Sequence, residues 1–255
     1  MIAPLRVAPE GWRLDDPDLS DPRLIYVTPS CQWPRGTVMR MEERMAILSL
    51  ADRHGAWIVE DDYDGEYRFR GRPVPALRGL GASDRVIYIG TFGKTLFSSL
   101  RLGFLVVPME LAGAFSSAIS VTGQFAPSIL QQALSDFIRE GYFGRHLKRM
   151  RRLYAGRQKR FVELCKKHLS SWMSITENDS GMQVLAKFVK PLNDQTVAAV
   201  ALKHGLDVQP ISINFYKDPP EHGLLLGFAR LDEREMAAAI RLLKATFLDA
   251  ERQDN

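Results

Sequence analysis

Val86-Ile87-Tyr88-Ile89-Gly90-Thr91-Phe92-Gly93-Lys94-Thr95 is the stretch on which the reading of this chain turns. Its β-branched and aromatic opening predicts a strand. That strand runs into Lys94, with the hydroxyl of Thr91 three positions before it and Arg101 seven after. A lysine at the mouth of a strand in an α/β sheet is poorly hydrated, and desolvation favours its neutral, nucleophilic form. Such an amine is suited to forming a Schiff base with a carbonyl. Thr91 and Arg101 supply a hydroxyl and a charged fork for a phosphate beside it. The ordinary alternative is a surface lysine that happens to follow a strand.

A second site upstream weighs against that alternative. Ala56-Trp57-Ile58-Val59-Glu60-Asp61-Asp62-Tyr63-Asp64-Gly65-Glu66-Tyr67-Arg68 is another apolar strand, ending in carboxylates with a tyrosine among them. Carboxylates at a strand's carboxyl end sit where open α/β sheets bind ligands. An acid there can hold a pyridine nitrogen protonated, as a pyridoxal electron sink requires, and a nearby phenol can hydrogen-bond the ring oxygen. Taken alone, the same cluster also reads as a metal site, a helix cap or a solvated loop. A third segment, Leu24-Ile25-Tyr26-Val27-Thr28-Pro29-Ser30-Cys31-Gln32-Trp33-Pro34-Arg35-Gly36, reads as a strand and then a turn punctuated by proline and glycine.

In this order the three segments resemble the class I/II pyridoxal-phosphate-dependent aminotransferases of fold type I. The nearest likeness is to the aminotransferase-like domain of MocR-type regulators of the GntR family. That domain carries T-P-S-H-Q-[YF]-P-x-G, E-D-D-Y-D-x-E-F-R, G-T-F-S-K-T and R-L-G-[YF]. The counterparts here are Thr28 to Gly36, Glu60 to Arg68, Gly90 to Thr95 and Arg101 to Phe104, and Gly71 to Leu77 also resembles the family. The resemblance implies pyridoxal 5'-phosphate as cofactor and Lys94 as the Schiff-base lysine. It makes Asp61 the acid facing the pyridine nitrogen, Tyr63 the phenol on the ring oxygen, and Thr91 and Arg101 phosphate ligands. It also implies an amine or amino acid and a keto acid as small-molecule partners, a homodimer, and DNA contact only through a winged-helix domain that this chain lacks.

Several positions depart from the pattern. Cys31 stands where the regulators have His, Trp33 where they have Tyr or Phe, Gly93 where they have Ser, and Ser98-Ser99 where they have Pro-Gly. The arginine that binds the substrate carboxylate in this fold aligns with Leu225, which cannot make a bidentate carboxylate contact. The opening Met1-Ile2-Ala3-Pro4-Leu5-Arg6-Val7 resembles a strand well inside the family's large domain. The resemblance therefore implies an N-terminally truncated chain without the glycine-rich phosphate turn and the aromatic that stacks on the cofactor.

Composition fits an ordinary globular chain: 255 residues, 45% hydrophobic and 25% charged, with a net charge of +4. The longest apolar runs are too short to span a membrane, and no secretory signal follows Met1. These features, with the distant Cys31 and Cys165, point to a cytoplasmic protein with reduced thiols. The five histidines form no HxxxH or HxH pair, and no metal site is expected. Basic residues concentrate at Arg145, Lys148, Arg149, Arg151, Arg152, Arg157, Lys159 and Arg160, with apolar residues between them at helical spacing. This reads as an amphipathic helix with a solvated basic face, ahead of a nucleic-acid stripe.

Strand-like runs at 24–28, 56–61, 86–90 and 103–107, spaced by helix or loop, imply right-handed crossovers and a mainly parallel sheet. Helices are expected over 38–54, 109–122, 127–170, 194–204 and 232–249, and strands at 181–189, 206–210 and 224–229. Gly55 suits the left-handed position after the first helix, and Asp232 with Glu235 a capping box. The expected architecture is α/β: residues 1–126 form a partial large pyridoxal-phosphate domain, and 127–255 form linking helices and a small C-terminal α+β domain. Three functional readings stand at this point. They are an aminotransferase, an effector-sensing domain with little turnover, and an inactive fragment.

Overall fold

The computed structural model describes residues 2–8, 10–16, 19–216 and 220–253, the last without its side chain. The chain divides into two compact units, Met1–Gln32 with Thr37–Arg149, and Trp33–Gly36 with Met150–Asn255.

In the first unit, β1 (Val7–Ala8) and β2 (Gly11–Trp12) make a short antiparallel pair. β3 (Leu24–Val27), α1 (Met41–His54), β4 (Trp57–Asp62), β5 (Val86–Thr91) and β6 (Gly103–Val106) follow, then α2 (Met109–Thr122), α3 (Ser128–Arg139) and α4 (Tyr142–Leu169), which runs on into the second unit. The sheet order is β3-β4-β5-β6. β3, β4 and β5 are parallel, as the strand–helix–strand spacing implies, whereas β6 runs antiparallel to β5. Only residues 92–102 join β5 to β6, short of the dozen or more that a parallel crossover needs. The apolar side of α1 packs Ile47, Leu48 and Ala51 against Ile25, Val27, Ile58 and Val86 of the sheet. The opposite residues of β3, Leu24 and Tyr26, are exposed. Helix α1 ends where expected: Gly55 takes the left-handed conformation at φ 62°.

The centre of this unit contains a fully buried ion pair. Arg44 of α1 and Glu60 of β4 are both inaccessible to solvent and lie 3.8 Å apart. Arg44 donates to the carbonyls of Met39, Pro75 and Pro29 at 3.0, 3.0 and 2.9 Å. Glu60 accepts the amides of Leu77 and Arg78 at 2.7 and 3.0 Å. One pair thus ties three loop segments to the strand that carries Asp61.

The second unit holds β7 (Met173–Ile175), β8 (Gln183–Phe188), α5 (Asp194–Lys203), β9 (Gln209–Pro210), β10 (Gly223–Gly227) and α6 (Glu233–Gln253). Its sheet, β7-β8-β10-β9, is antiparallel throughout. Asp232 and Glu235 form the expected reciprocal cap, with bonds of 2.7 and 2.8 Å. Of the strand expected over 206–210 only Gln209–Pro210 pairs, and the three-residue β7 carried too short a pattern to be read in advance. Trp172 stacks on Phe247, whose edge meets Phe188. Among the described residues no helix is long and apolar enough to cross a membrane.

Replacing Arg44 by Leu leaves the Glu60 carboxylate buried without its cation. Such a loss costs about 3–5 kcal/mol, and urea unfolding followed by circular dichroism is expected to show a fall of that size. Substituting the exposed Arg53 should move the midpoint hardly at all.

Candidate functional site

Neighbouring residues of an extended strand point to opposite faces, so Asp61 and Asp62 at the end of β4 have different surroundings. Tyr26 of β3 is in register with Val59, which places it diagonally across from Asp61 on the same face. Its hydroxyl donates to Asp61 Oδ2. Burial first, and then this hydrogen bond, push the Tyr26 phenol up to about 12. Tyr88 of β5 is in register with Glu60 and reaches Asp62 on the other face, at 2.8 Å. Asp62 also accepts the Gly65 amide at 3.0 Å. Each carboxylate is therefore steadied by a tyrosine from a neighbouring strand. Asp62 is engaged at both oxygens, whereas Asp61 Oδ1 accepts no bond among the described residues.

Beyond β4 the chain turns, and Tyr63 donates to the Cys31 carbonyl at 2.7 Å. Burial above all, and then Cys31, raise the Tyr63 phenol far above its ordinary range, so it remains protonated. Lys94 lies in the turn after β5. Its ammonium sits 4.2 Å from the centre of the Tyr63 ring and 3.4 Å from the buried carboxylate of Asp64. A poorly hydrated lysine was expected here. The side chain is instead 40% exposed, with an anion beside it. The turn's backbone is anchored from two directions. Tyr67 donates to the carbonyls of Lys94 and Thr95 at 3.3 and 3.1 Å, and His146 of α4 donates its Nε2–H to the Thr95 carbonyl at 2.8 Å.

Thr91 closes β5 and accepts the Gly93 amide at 3.1 Å, which leaves its hydroxyl hydrogen free to donate. A Cβ on Gly93 would lie 3.4 Å from Thr91 Oγ1, so a side chain fits there. Gly90 is different: Phe104 of β6 lies across it, and a Cβ would come within 2.3 Å of that ring. Arg101 follows the short helical turn Ser98–Leu100. Its backbone is left-handed, φ 53°, the only non-glycine at positive φ among the described residues. Such a conformation costs about 1–3 kcal/mol and clusters at functional sites. The exposed Arg101 guanidinium has no hydrogen bond or ion pair among the described residues. The Phe92 amide bonds to the Leu102 carbonyl at 3.0 Å, which brings the Arg101 segment back to the turn that carries Lys94.

The five residues singled out in the sequence thus lie at the carboxyl ends of β4 and β5 and in the loops after them. Lys94 and Tyr63 touch, Thr91 borders their turn, and Asp61 stands two residues before Tyr63. Sequence reasoning missed Tyr26, Tyr88, Asp64, Tyr67 and His146 as supports. Strand register would have found the first two, since each lies two rungs back from its carboxylate. His146, which forms no metal-type pair in the sequence, holds the lysine turn. Leu225 is a buried residue of β10, paired with Leu185 and Gln209. No group of three or more metal-ligating side chains occurs among the described residues.

Comparison with known proteins bears on the family and the fold. Residues 5–243 match the family model for aminotransferase class I and II. The probable rhizopine catabolism regulatory protein MocR of Rhizobium meliloti is 54% identical over 98% of this chain, which spans 51% of that protein. An uncharacterized HTH-type transcriptional regulator of Bacillus subtilis, YdeL, is 35% identical over 96% of the chain and 53% of its own length. The chain thus spans about half the length of these curated relatives. Among solved structures, the α-aminoadipate aminotransferase LysN of Thermus thermophilus superposes with a TM-score of 0.87 at 26% identity. It covers 98% of this chain and 66% of its own, and was solved with N-(5'-phosphopyridoxyl)-L-leucine. With a strand-end lysine and acid in an α/β sheet, and a family match over nearly its whole length, this chain belongs to the class I and II aminotransferases, with the fold type I architecture.

Proposed function

We propose that this chain is a pyridoxal-phosphate domain of the aminotransferase type that captures an amino compound, and that it serves as the effector-sensing part of a transcriptional regulator. The observation that carries the cofactor reading is the Lys94 amine, set against the Tyr63 ring and Asp64 at the mouths of β4 and β5. The donor set fits pyridoxal phosphate. Lys94 would bond to its aldehyde, Asp61 would meet the pyridine nitrogen, Thr91 with Arg101 the phosphate, and Tyr63, whose proton here goes to the Cys31 carbonyl, would have to redirect it to meet the ring oxygen. When bound, the cofactor supplies an electron sink for charge developing at the substrate carbon.

The protein's own part follows from its side chains. Asp61 has one oxygen steadied by Tyr26 and the other open as an acceptor, so it would have an oxygen free for a protonated ring nitrogen. The Tyr63 hydroxyl keeps its proton and, through its lone pairs and ring, borders the site from the Cys31 side. Lys94 Nζ, with Asp64 3.4 Å away, would be the group placed to move a proton at the substrate carbon. Arg101, already held in a strained backbone, offers a guanidinium that the protein leaves unengaged.

Leu225 favours sensing over turnover. It stands where aminotransferases align a carboxylate-binding arginine, and a buried leucine gives an α-amino acid no fixed grip. The identity to MocR supports the same reading. Rapid steady-state production of a keto acid from an amine, at ordinary aminotransferase rates, would instead establish a metabolic enzyme.

Three outcomes are expected. Pyridoxal phosphate added to the purified chain should give a visible band, and borohydride should fix the label on the peptide containing Lys94. A Lys94→Ala protein that yields the same band and labelled peptide would refute the assignment. Asp61→Asn should cut any amino-group transfer on the order of a hundredfold. In the cofactor-free protein it should also let Tyr26 titrate below its value of about 12, read by ultraviolet absorbance against pH. Gly93→Ser should tighten cofactor binding several-fold without lowering the unfolding midpoint, because the added hydroxyl fits beside Thr91.

A further inference from the structure

The charge of this protein is unevenly placed. Helix α4 carries ten lysines and arginines and a single acid, Glu163, for a net +9. The whole chain is +4, so everything outside that helix is net −5. At 3.6 residues per turn, Arg145, Lys148, Arg149, Arg152, Lys159, Arg160, Lys166 and Lys167 fall within one sector of about 120°. All eight are exposed. Arg160 lies 3.7 Å from Glu163 and 3.9 Å from Glu233, the only acids paired with the stripe among the described residues. At 1.5 Å per residue the stripe is about 33 Å long.

We infer that this face of α4 lies against the phosphate backbone of double-stranded DNA, contributing affinity without reading sequence. Electrostatic complementarity is the first reason: a basic stripe of this length along one helix matches about one turn of duplex, whose phosphates present one charge per about 1.7 Å of axis. The second is what the stripe lacks. Single-stranded nucleic acid is gripped by exposed aromatic rings, and the only ring bordering this face, Tyr142, is already stacked on Phe137. A membrane surface needs a free apolar face on the helix. In α4 that face is already used, with Leu147, Phe161, Val162, Cys165 and Leu169 buried. Arg157, away from the stripe, is spent on the Ala229 carbonyl. The inference rests on the regulatory part of the proposed function, and it makes the sensing domain itself a DNA-contacting surface.

The test is fluorescence anisotropy of the full chain with a labelled duplex of arbitrary sequence, titrated at several salt concentrations. Binding is expected at low salt, weakening steeply as salt rises. Replacing Lys148, Arg149, Arg152 and Lys159 together by Gln should weaken binding at least tenfold at low salt. It should also flatten the log–log salt slope by about 3 to 4, near 0.9 per lost phosphate contact. A control with the same charge change elsewhere, Lys203, Arg234, Arg241 and Lys244 to Gln, should keep most of both. Lys166→Glu with Lys167→Glu should act in the same direction as the stripe variant, which guards against a folding defect in any one protein. Equal losses in the control and stripe variants would overturn the inference, as would no duplex binding at low salt, or tighter binding to single-stranded RNA or to vesicles of anionic phospholipid. The pyridoxal band is recorded on the same proteins. A stripe variant that keeps the band but loses DNA, and a wild type that binds DNA but shows no band, separate this inference from the cofactor reading.

Discussion

The Arg44–Glu60 pair is the constraint around which the first unit is organised. A buried charge is costly unless both its partner and its hydrogen bonds are supplied, and here both are, by carbonyls of Pro29, Met39 and Pro75 and amides of Leu77 and Arg78. These partners come from the loops after β3 and β4, the same loops that border the candidate site. Hydrophobic packing of α1 against the sheet would tolerate small shifts of these loops. A guanidinium satisfied at three carbonyls does not, because each lost bond leaves a polar group stranded in the interior. The position of Asp61 and Tyr63 therefore depends on a residue one step before them that no ligand would touch.

The groups at the site fall into those the protein already satisfies and those it leaves open. Asp62 is bound at both oxygens, Asp64 meets Lys94, and the Tyr63 proton is given to the backbone. One oxygen of Asp61, the Thr91 hydroxyl hydrogen and the whole Arg101 guanidinium remain. An acceptor, a donor and a cation, held by strand ends and a strained turn, are the groups that the proposed ligand, with a basic nitrogen and an anionic end, would use. Preorganisation of this kind lowers the cost of binding. It also separates the three aspartates of the Glu60–Asp64 run, which their spacing alone does not.

Much of this was legible in advance because it depends on local pattern. The strand cores, the long helices, the Gly55 terminus and the Asp232–Glu235 cap each follow from a few adjacent residues. What was not legible depends on pairing between distant segments. The reversal of β6 is set by the length of the 92–102 connection and by Phe104 closing over Gly90, neither of which shows in the apolar run 103–106. Tyr26 and Tyr88 look like ordinary strand residues until register sets them across from Asp61 and Asp62. The hydration of Lys94 was misjudged because Asp64, thirty positions earlier, is buried against it.

The alternation of Asp61 and Asp62 across β4 has a consequence for how this site can vary. Gaining or losing one residue within β4 would shift the pleat by one, turning Asp61 to the side now held by Asp62 and giving each tyrosine the wrong acid. Glu60 would leave Arg44 in the same step. Length changes are therefore excluded from this strand, and new specificities have to arise by substitution in place or by remodelling the loops that follow it. For anyone grafting new ligand preferences onto this scaffold, the strand is a fixed ruler and the loops are the variable part.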